Sequence, residues 1–125
     1  MRAVIDTSVL IRHERGLRTR LPEDAAVSAA TLAELGLGVL LTDDPGQRAT
    51  RLATLTRVER EFEALPIDRV VAQRYAEIVA EARRHGRRPK AMDALIAATA
   101  LAHGVPVVTA DEGFQAMPFV EVIVI

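Results

Sequence analysis

Apolar residues in this chain fall into short continuous runs and into longer stretches with a three-to-four spacing, and the two kinds alternate. Arg2 to Ile5 reads as a short buried strand. Thr7 to Arg15 reads as a helix stopped by Gly16, and Ala25-Ala26-Val27 as a second strand. Ser28 then caps a helix that runs through Thr31, Leu32, Leu35 and Val39. Asp44-Pro45 is a strong helix start, a capping carboxylate followed by proline at the first helical position. That helix carries Leu52, Leu55, Val58 and Phe62 as its inward stripe.

Leu65-Pro66-Ile67 is a brief extended segment, and from Asp68 a long helix runs through Val71, Tyr75, Ile78, Val79 and Ala82 to Gly86. Ala91 to His103 is an alanine-rich helix closed by Gly104. Val105 to Val108 is a strand, Thr109 to Met117 a turn with a short helix, and Val120 to Ile125 a last strand. The strands are apolar throughout and are joined by helices, with no hairpin signals. This predicts an α/β fold, a parallel sheet covered on both faces.

A chain of 125 residues, half of them hydrophobic, predicts one globular domain over 1–125 with a core of its own. The aromatic share is only 3%, so that core rests on Leu, Val, Ile and Ala. No run approaches the roughly 18 apolar residues of a membrane span. The N-terminus also lacks a signal-peptide pattern, so a soluble cytoplasmic protein is expected. The absence of cysteine excludes disulfides, thiolate metal sites and cysteine nucleophiles. With a net charge of −1, any contact with a polyanion must come from a local patch.

Four acids stand out against this background. Asp6 and Asp111 each follow an apolar run, at the carboxyl edge where open parallel sheets bind ligands. Glu34 interrupts the apolar stretch from Ala29 to Leu37, and Asp93 interrupts Ala91 to Ala98. Each has a plainer role open to it. Asp6 and Asp111 suit helix caps, and Asp93 near a helix start is favoured by the macrodipole. Glu34 is harder to explain, because no Lys or Arg lies three or four residues away.

Together the four would repel by about 1–4 kcal/mol per pair at about 4 Å, unless a cation compensates. Oxygen donors without histidine or cysteine select a hard ion, Mg²⁺ or Mn²⁺. No serine, cysteine or histidine constellation accompanies them, so the acids point to phosphodiester hydrolysis by a metal-activated water. His13, His85 and His103 show no ligand spacing.

The segments Val4-Ile5-Asp6-Thr7-Ser8-Val9-Leu10-Ile11, Thr31-Leu32-Ala33-Glu34-Leu35, Met92-Asp93-Ala94-Leu95-Ile96-Ala97-Ala98 and Val107-Val108-Thr109-Ala110-Asp111-Glu112-Gly113-Phe114 recur in that order. The chain thereby resembles a PIN-domain ribonuclease, most closely the VapC-type toxin of bacterial toxin–antitoxin pairs, over nearly its whole length. The resemblance implies a three-layer α/β/α sandwich around a mostly parallel sheet of four or five strands. It implies a Mg²⁺- or Mn²⁺-dependent endoribonuclease, with Asp6, Glu34, Asp93 and Asp111 as the acidic quartet, directly or through water. It further implies Ser8 and Thr109 as supporting hydroxyls, a homodimer, and a small VapB-like antitoxin that blocks the site. The pattern departs at one place. Many relatives carry a further acid or amide where this chain has Gly113, and Glu112 follows Asp111 directly, so the fourth acid is Asp111 or Glu112. Asp68 recurs in the pattern as a helix cap.

Arg83, Arg84, Arg87, Arg88 and Lys90 form the densest positive stretch and lead straight to Asp93. They read either as a solvated helix end or as phosphate contacts to RNA beside the acids. Arg12, Arg15, Arg18 and Arg20 are candidates to extend that rim. Leu35-Gly36-Leu37-Gly38-Val39-Leu40-Leu41 is apolar all round, as suits either the centre of a core or a surface for a second copy or an antitoxin helix. Two other classes fit the sequence less well. A phosphoacceptor signalling domain needs paired acids after its first strand, an acceptor Asp after a middle strand and a Lys after a late strand, whereas this chain has one acid at Asp6, no clear acceptor strand and no lysine except Lys90. A catalytically silent PIN-like binding module has no need of all four acids.

Overall fold

The computed structural model describes residues 2–17 and 20–125. Five strands form one sheet: β1 (Arg2–Ile5), β2 (Asp24–Ser28), β3 (Glu63–Leu65), β4 (Val107–Thr109) and β5 (Val122–Val124). Their order is β3-β2-β1-β4-β5 and every pairing is parallel. The sheet therefore has five strands and is wholly parallel. Five α-helices cover it: α1 (Thr7–Glu14), α2 (Ala29–Leu41), α3 (Pro45–Glu61), α4 (Arg69–Arg84) and α5 (Ala91–Ala102). A 3-10 turn, Glu112–Ala116, precedes β5.

The strands lack polar alternation because both faces of the sheet are buried. Ala3 and Ile5 pack into one core with Val9 and Leu10 of α1, Leu35 of α2 and Val58 of α3. Val4, between them, packs into the other core with Val71 and Ile78 of α4 and Ile96 of α5. Helix starts follow the chain's own capping chemistry. Ser28 accepts from Ala30 N, Asp44 from Gln47 N, and Asp68 from Val71 N. Gly86 and Gly104 end α4 and α5 in the left-handed region, at φ +75° and +64°, where a side chain would be strained.

Several boundaries differ from the predicted ones. β3 ends at Leu65, since Pro66 has no N–H to donate and Ile67 is exposed. β4 begins at Val107, after Pro106, whose carbonyl still accepts from Val4 N at 2.9 Å. β5 covers only Val122–Val124. In α3 the buried positions are Thr54 and Val58, while Leu52 is exposed. Thr54 is tolerated inside because its hydroxyl donates to Thr50 O at 3.3 Å.

The apolar segment of α2 does not lie at the centre of the core. Leu35 and Val39 are buried, but Leu37, Leu40 and Leu41 are 54%, 80% and 70% exposed. Among the described residues, no helix is long and apolar enough to cross a membrane.

Candidate active site

The strand order reverses direction at β1. The chain moves from β1 outward to β2 and β3, and later returns to β1's other side as β4 and β5. At such a switch point the loops after the two central strands part, leaving a crevice at their carboxyl ends. Asp6 follows β1 and Asp111 follows β4, and the two strands are locked in register there by Asp6 N donating to Val108 O at 2.8 Å.

Asp6 stands at the N-cap of α1, yet its side chain makes no capping bond. It is only 4% exposed. Its Oδ2 instead accepts from the Ser8 hydroxyl at 2.6 Å and the Thr109 hydroxyl at 2.8 Å. Those hydroxyls are themselves held, Ser8 Oγ by Ala110 N and Thr109 Oγ1 by Asp111 N, both at 3.0 Å. A hydroxyl from the first turn of α1 and one from the end of β4 thus fix one oxygen of the carboxylate and leave Oδ1 out of both bonds.

Glu34 lies on α2, half-buried, and its partner is distant in sequence: Thr7 Oγ1 donates to Glu34 Oε1 at 2.8 Å. Thr7 Oγ1 also stands 3.1 Å from the hydroxyl of Thr31, which is fully buried. Thr7 was not singled out from the sequence. The one signal for it is that Thr7 and Ser8 set two hydroxyls on the first turn after Asp6. Asp111 caps the 3-10 turn through Oδ1, which accepts from Gly113 N at 2.9 Å. A Cβ at residue 113 would stand 3.1 Å from that oxygen, a tight approach.

Asp93 lies in the first turn of α5, where the helix dipole would hold a carboxylate low. Its pKa is instead pushed up, from the ordinary 3.8 to about 6. Burial is the largest cause, followed by the charges of Asp6 and Glu34; Asp111 adds to the rise, and Lys90 opposes it. Carboxylates from three other segments therefore act on Asp93. Glu112, exposed at the start of the 3-10 turn, is not among the charges acting on Asp93. None of the ion pairs among the described residues neutralises any of the four.

This donor set fits a hard divalent cation: oxygen ligands only, an excess of negative charge that Lys90 opposes only in part, and one carboxyl pushed toward protonation by burial and by its acidic neighbours. Among the described residues, no three acidic or imidazole groups stand close enough to grip one ion directly as placed. An ion such as Mg²⁺ keeps several waters and needs only one or two direct carboxylates.

A cleft of about 350 Å³ is lined by Asp93 and Asp111 and also by Arg87, Arg88 and Lys90. Arg83 and Arg84 are exposed and do not line it, and Arg84 pairs with Glu81 at 3.5 Å. A second cleft, of about 260 Å³, joins Thr7 and Glu34 to Arg15 and Arg51. Nothing in the sequence marked Arg51, which sits on α3 and donates to Gly38 O at 2.7 Å. Arg12 is committed elsewhere, donating to Ile125 O at 3.0 Å. Arg20 lines an apolar depression with Leu21 and Ile123, and Arg18 lies outside the described residues.

The PIN-domain family model matches residues 3–120. The chain belongs to the PIN-domain family. This PIN domain is 43% identical over 130 residues to Ribonuclease VapC4 of Mycobacterium tuberculosis, covering 99% of this chain and 97% of that one. It superposes on a crystal structure of VapBC-5, a member of the VapBC family of toxin–antitoxin systems from the same organism, with a TM-score of 0.87. The identity there is 38%, over 99% of this chain and 98% of that one. FitAcB from Neisseria gonorrhoeae is also similar, with a TM-score of 0.77 and 34% identity, over 98% of this PIN domain and 96% of that chain. The α/β/α arrangement is that of a PIN domain.

Proposed function

We propose that residues 1–125 form a single PIN domain that hydrolyses RNA as the toxin of a toxin–antitoxin pair. One arrangement carries the reading of the site: Asp6 is buried and held by Ser8 and Thr109 at the carboxyl edge of the sheet, and Asp93 stands within the field of Asp6, Glu34 and Asp111. Four acids from distant segments share one field, and none of the ion pairs among the described residues involves them. The similarity to chains named ribonuclease over nearly the whole length supports RNA as the substrate.

Asp6, Glu34, Asp93 and Asp111 hold the metal, Mg²⁺ or Mn²⁺, directly or through water, with Asp111 as the fourth acid. A divalent ion in this position supplies a nucleophilic water at neutral pH and offsets charge on the phosphoryl oxygens. Ser8 and Thr109 orient Asp6 so that its free oxygen faces the site. Arg87, Arg88 and Lys90 hold the RNA backbone beside the acids, where a positive rim offsets the repulsion between an acidic pocket and a polyanion. An RNA substrate fits a cytoplasmic protein.

The exposed leucines of α2 form a contact surface for another chain, in a homodimer or with a VapB-like antitoxin. The structural neighbours described as VapBC and FitAcB support a partner of that kind.

The test is cleavage of single-stranded RNA with Mg²⁺, with Mn²⁺ and with EDTA. Wild type cuts with either metal and not with EDTA. Asp6→Asn and Asp93→Asn lose at least about a hundredfold while remaining folded. Equal cleavage by wild type and Asp6→Asn overturns the reading and leaves a silent binding module.

A further inference from the structure

The cleft beside Asp93 and Asp111 has more in it than a charged rim. Pro89, Phe114, Ala116 and Met117 also line it, with Ala82 and Gly113. Phosphate alone gains nothing from these apolar groups. Beside the two acids, three positive side chains, Arg87, Arg88 and Lys90, share the lining and favour an anionic group there. The occupant that suits both halves carries a negative charge and a flat, largely apolar body.

We propose that this cleft seats one nucleotide of a single RNA strand, the one next to the cut, and thereby sets the enzyme's sequence preference. The proposal rests on the ribonuclease reading and adds to it the location of base selection. Size supports it. About 350 Å³ lies at the small end of ligand pockets, enough for one nucleotide and too little for a duplex. Single strands are also the form in which bases are splayed out and read.

Rigidity supports it too. Arg87 Nη1 donates to Ala116 O at 3.1 Å, tying the loop after α4 to the 3-10 turn across the cleft. Gly113 contributes no side chain to fill the space beside Asp111, whose Oδ1 a Cβ would approach to 3.1 Å. Phe114 and Met117 are buried, so the floor is fixed by the core and not by mobile surface chains. Selection by such a floor works through shape and apolar contact. No exposed aromatic lines this cleft, so base stacking on a ring is not the means.

Ala116 is exposed at the cleft edge, and its bond to Arg87 is through the backbone, so Ala116→Leu narrows the cleft without removing that bond. Two readouts are used. One is binding of a fluorescein-labelled single-stranded RNA in EDTA, followed by anisotropy. The other is the distribution of cut positions in a random-sequence RNA pool with Mn²⁺. Ala116→Leu weakens binding about tenfold and shifts the base preference next to the cut. Arg88→Gln weakens binding about as much while leaving the base preference in place, since it removes charge and not shape. Arg84→Gln, outside the cleft, changes neither.

An Ala116→Leu variant with the binding and cut profile of wild type overturns the proposal and leaves the ribonuclease reading standing. If Ala116→Leu fails to fold, Arg88→Gln decides: unchanged binding overturns the proposal. Binding without any metal-dependent cutting by wild type defeats the ribonuclease reading instead.

Discussion

The Thr7 hydroxyl donates to Glu34 Oε1 across 2.8 Å, although the two residues lie 27 positions apart. A hydroxyl has a single proton. With that proton given to Glu34, the buried Thr31 hydroxyl 3.1 Å away must be the donor to Thr7. The result is a two-hydroxyl relay ending on a carboxylate. Its neighbour Ser8 serves Asp6, so one helical turn steadies two of the four acids.

Thr7→Val therefore frees Glu34 and weakens Mn²⁺ binding roughly tenfold, as loss of an outer-shell hydrogen bond does in metal sites. Thr7→Ser restores the donor and the affinity. Calorimetric titration with Mn²⁺ checks both. Equal affinity in Thr7→Val and wild type would reduce the Thr7–Glu34 bond to a packing detail.

Asp93 gives a pH dependence with a definite sign. Its folded-state pKa of about 6 lies above the ordinary 3.8, so between those values the unfolded chain binds fewer protons than the folded one. Stability without metal then falls as pH rises from about 4 to 6, and this group contributes no slope outside that window. The carboxyl is partly exposed, so solvent screening holds the effect to about 1 kcal/mol. Urea unfolding in EDTA should show the slope in wild type and lose it in Asp93→Asn, which is the more stable of the two at pH 7. An identical slope in both would assign it to other groups.

Charge at the cleft is separable from charge elsewhere on α4. Replacing Arg87 and Arg88 with Gln removes two phosphate contacts, and the slope of log affinity against log salt falls by about 0.7 per contact for a single strand. Replacing Arg83 and Arg84 leaves the slope near its wild-type value. Anisotropy titrations from low to moderate salt distinguish the two pairs. Equal loss from both would mean that the whole stretch acts as a diffuse positive field.

Leu40 and Leu41 contribute almost nothing to the core, at 80% and 70% exposed. Leu40→Ser with Leu41→Ser should leave stability within about 0.5 kcal/mol. The same change should abolish association with a second copy or an antitoxin, read by sedimentation velocity. A double variant that still associates normally would show that these leucines face water in every state of the protein.

Much of this architecture is legible from short stretches of chain. Ala3, Val4 and Ile5 read as a doubly buried strand because both faces of the sheet are covered. Ser28, Asp44 and Asp68 announce helix starts because capping is a local bond, closed within two or three residues. Long-range choices are not legible in this way. Nothing near Leu52 says that Thr54 will be buried in its place. The partner of Glu34 was conspicuous only by its absence at helical spacing, and it is supplied by Thr7 from another element. The same holds for Asp6. By position it is a helix cap, and only the fold brings Thr109, 103 residues away, to its oxygen.

The proposed chemistry requires that Asp6, Glu34, Asp93 and Asp111 together hold a divalent ion. Anomalous diffraction from Mn²⁺-soaked crystals tests it most directly. A manganese peak should lie among these carboxylates, bound by at least one of Asp6 and Asp93, and should vanish in Asp6→Asn crystals. A protein that cleaves RNA in Mn²⁺ while its crystals show manganese only elsewhere would contradict it.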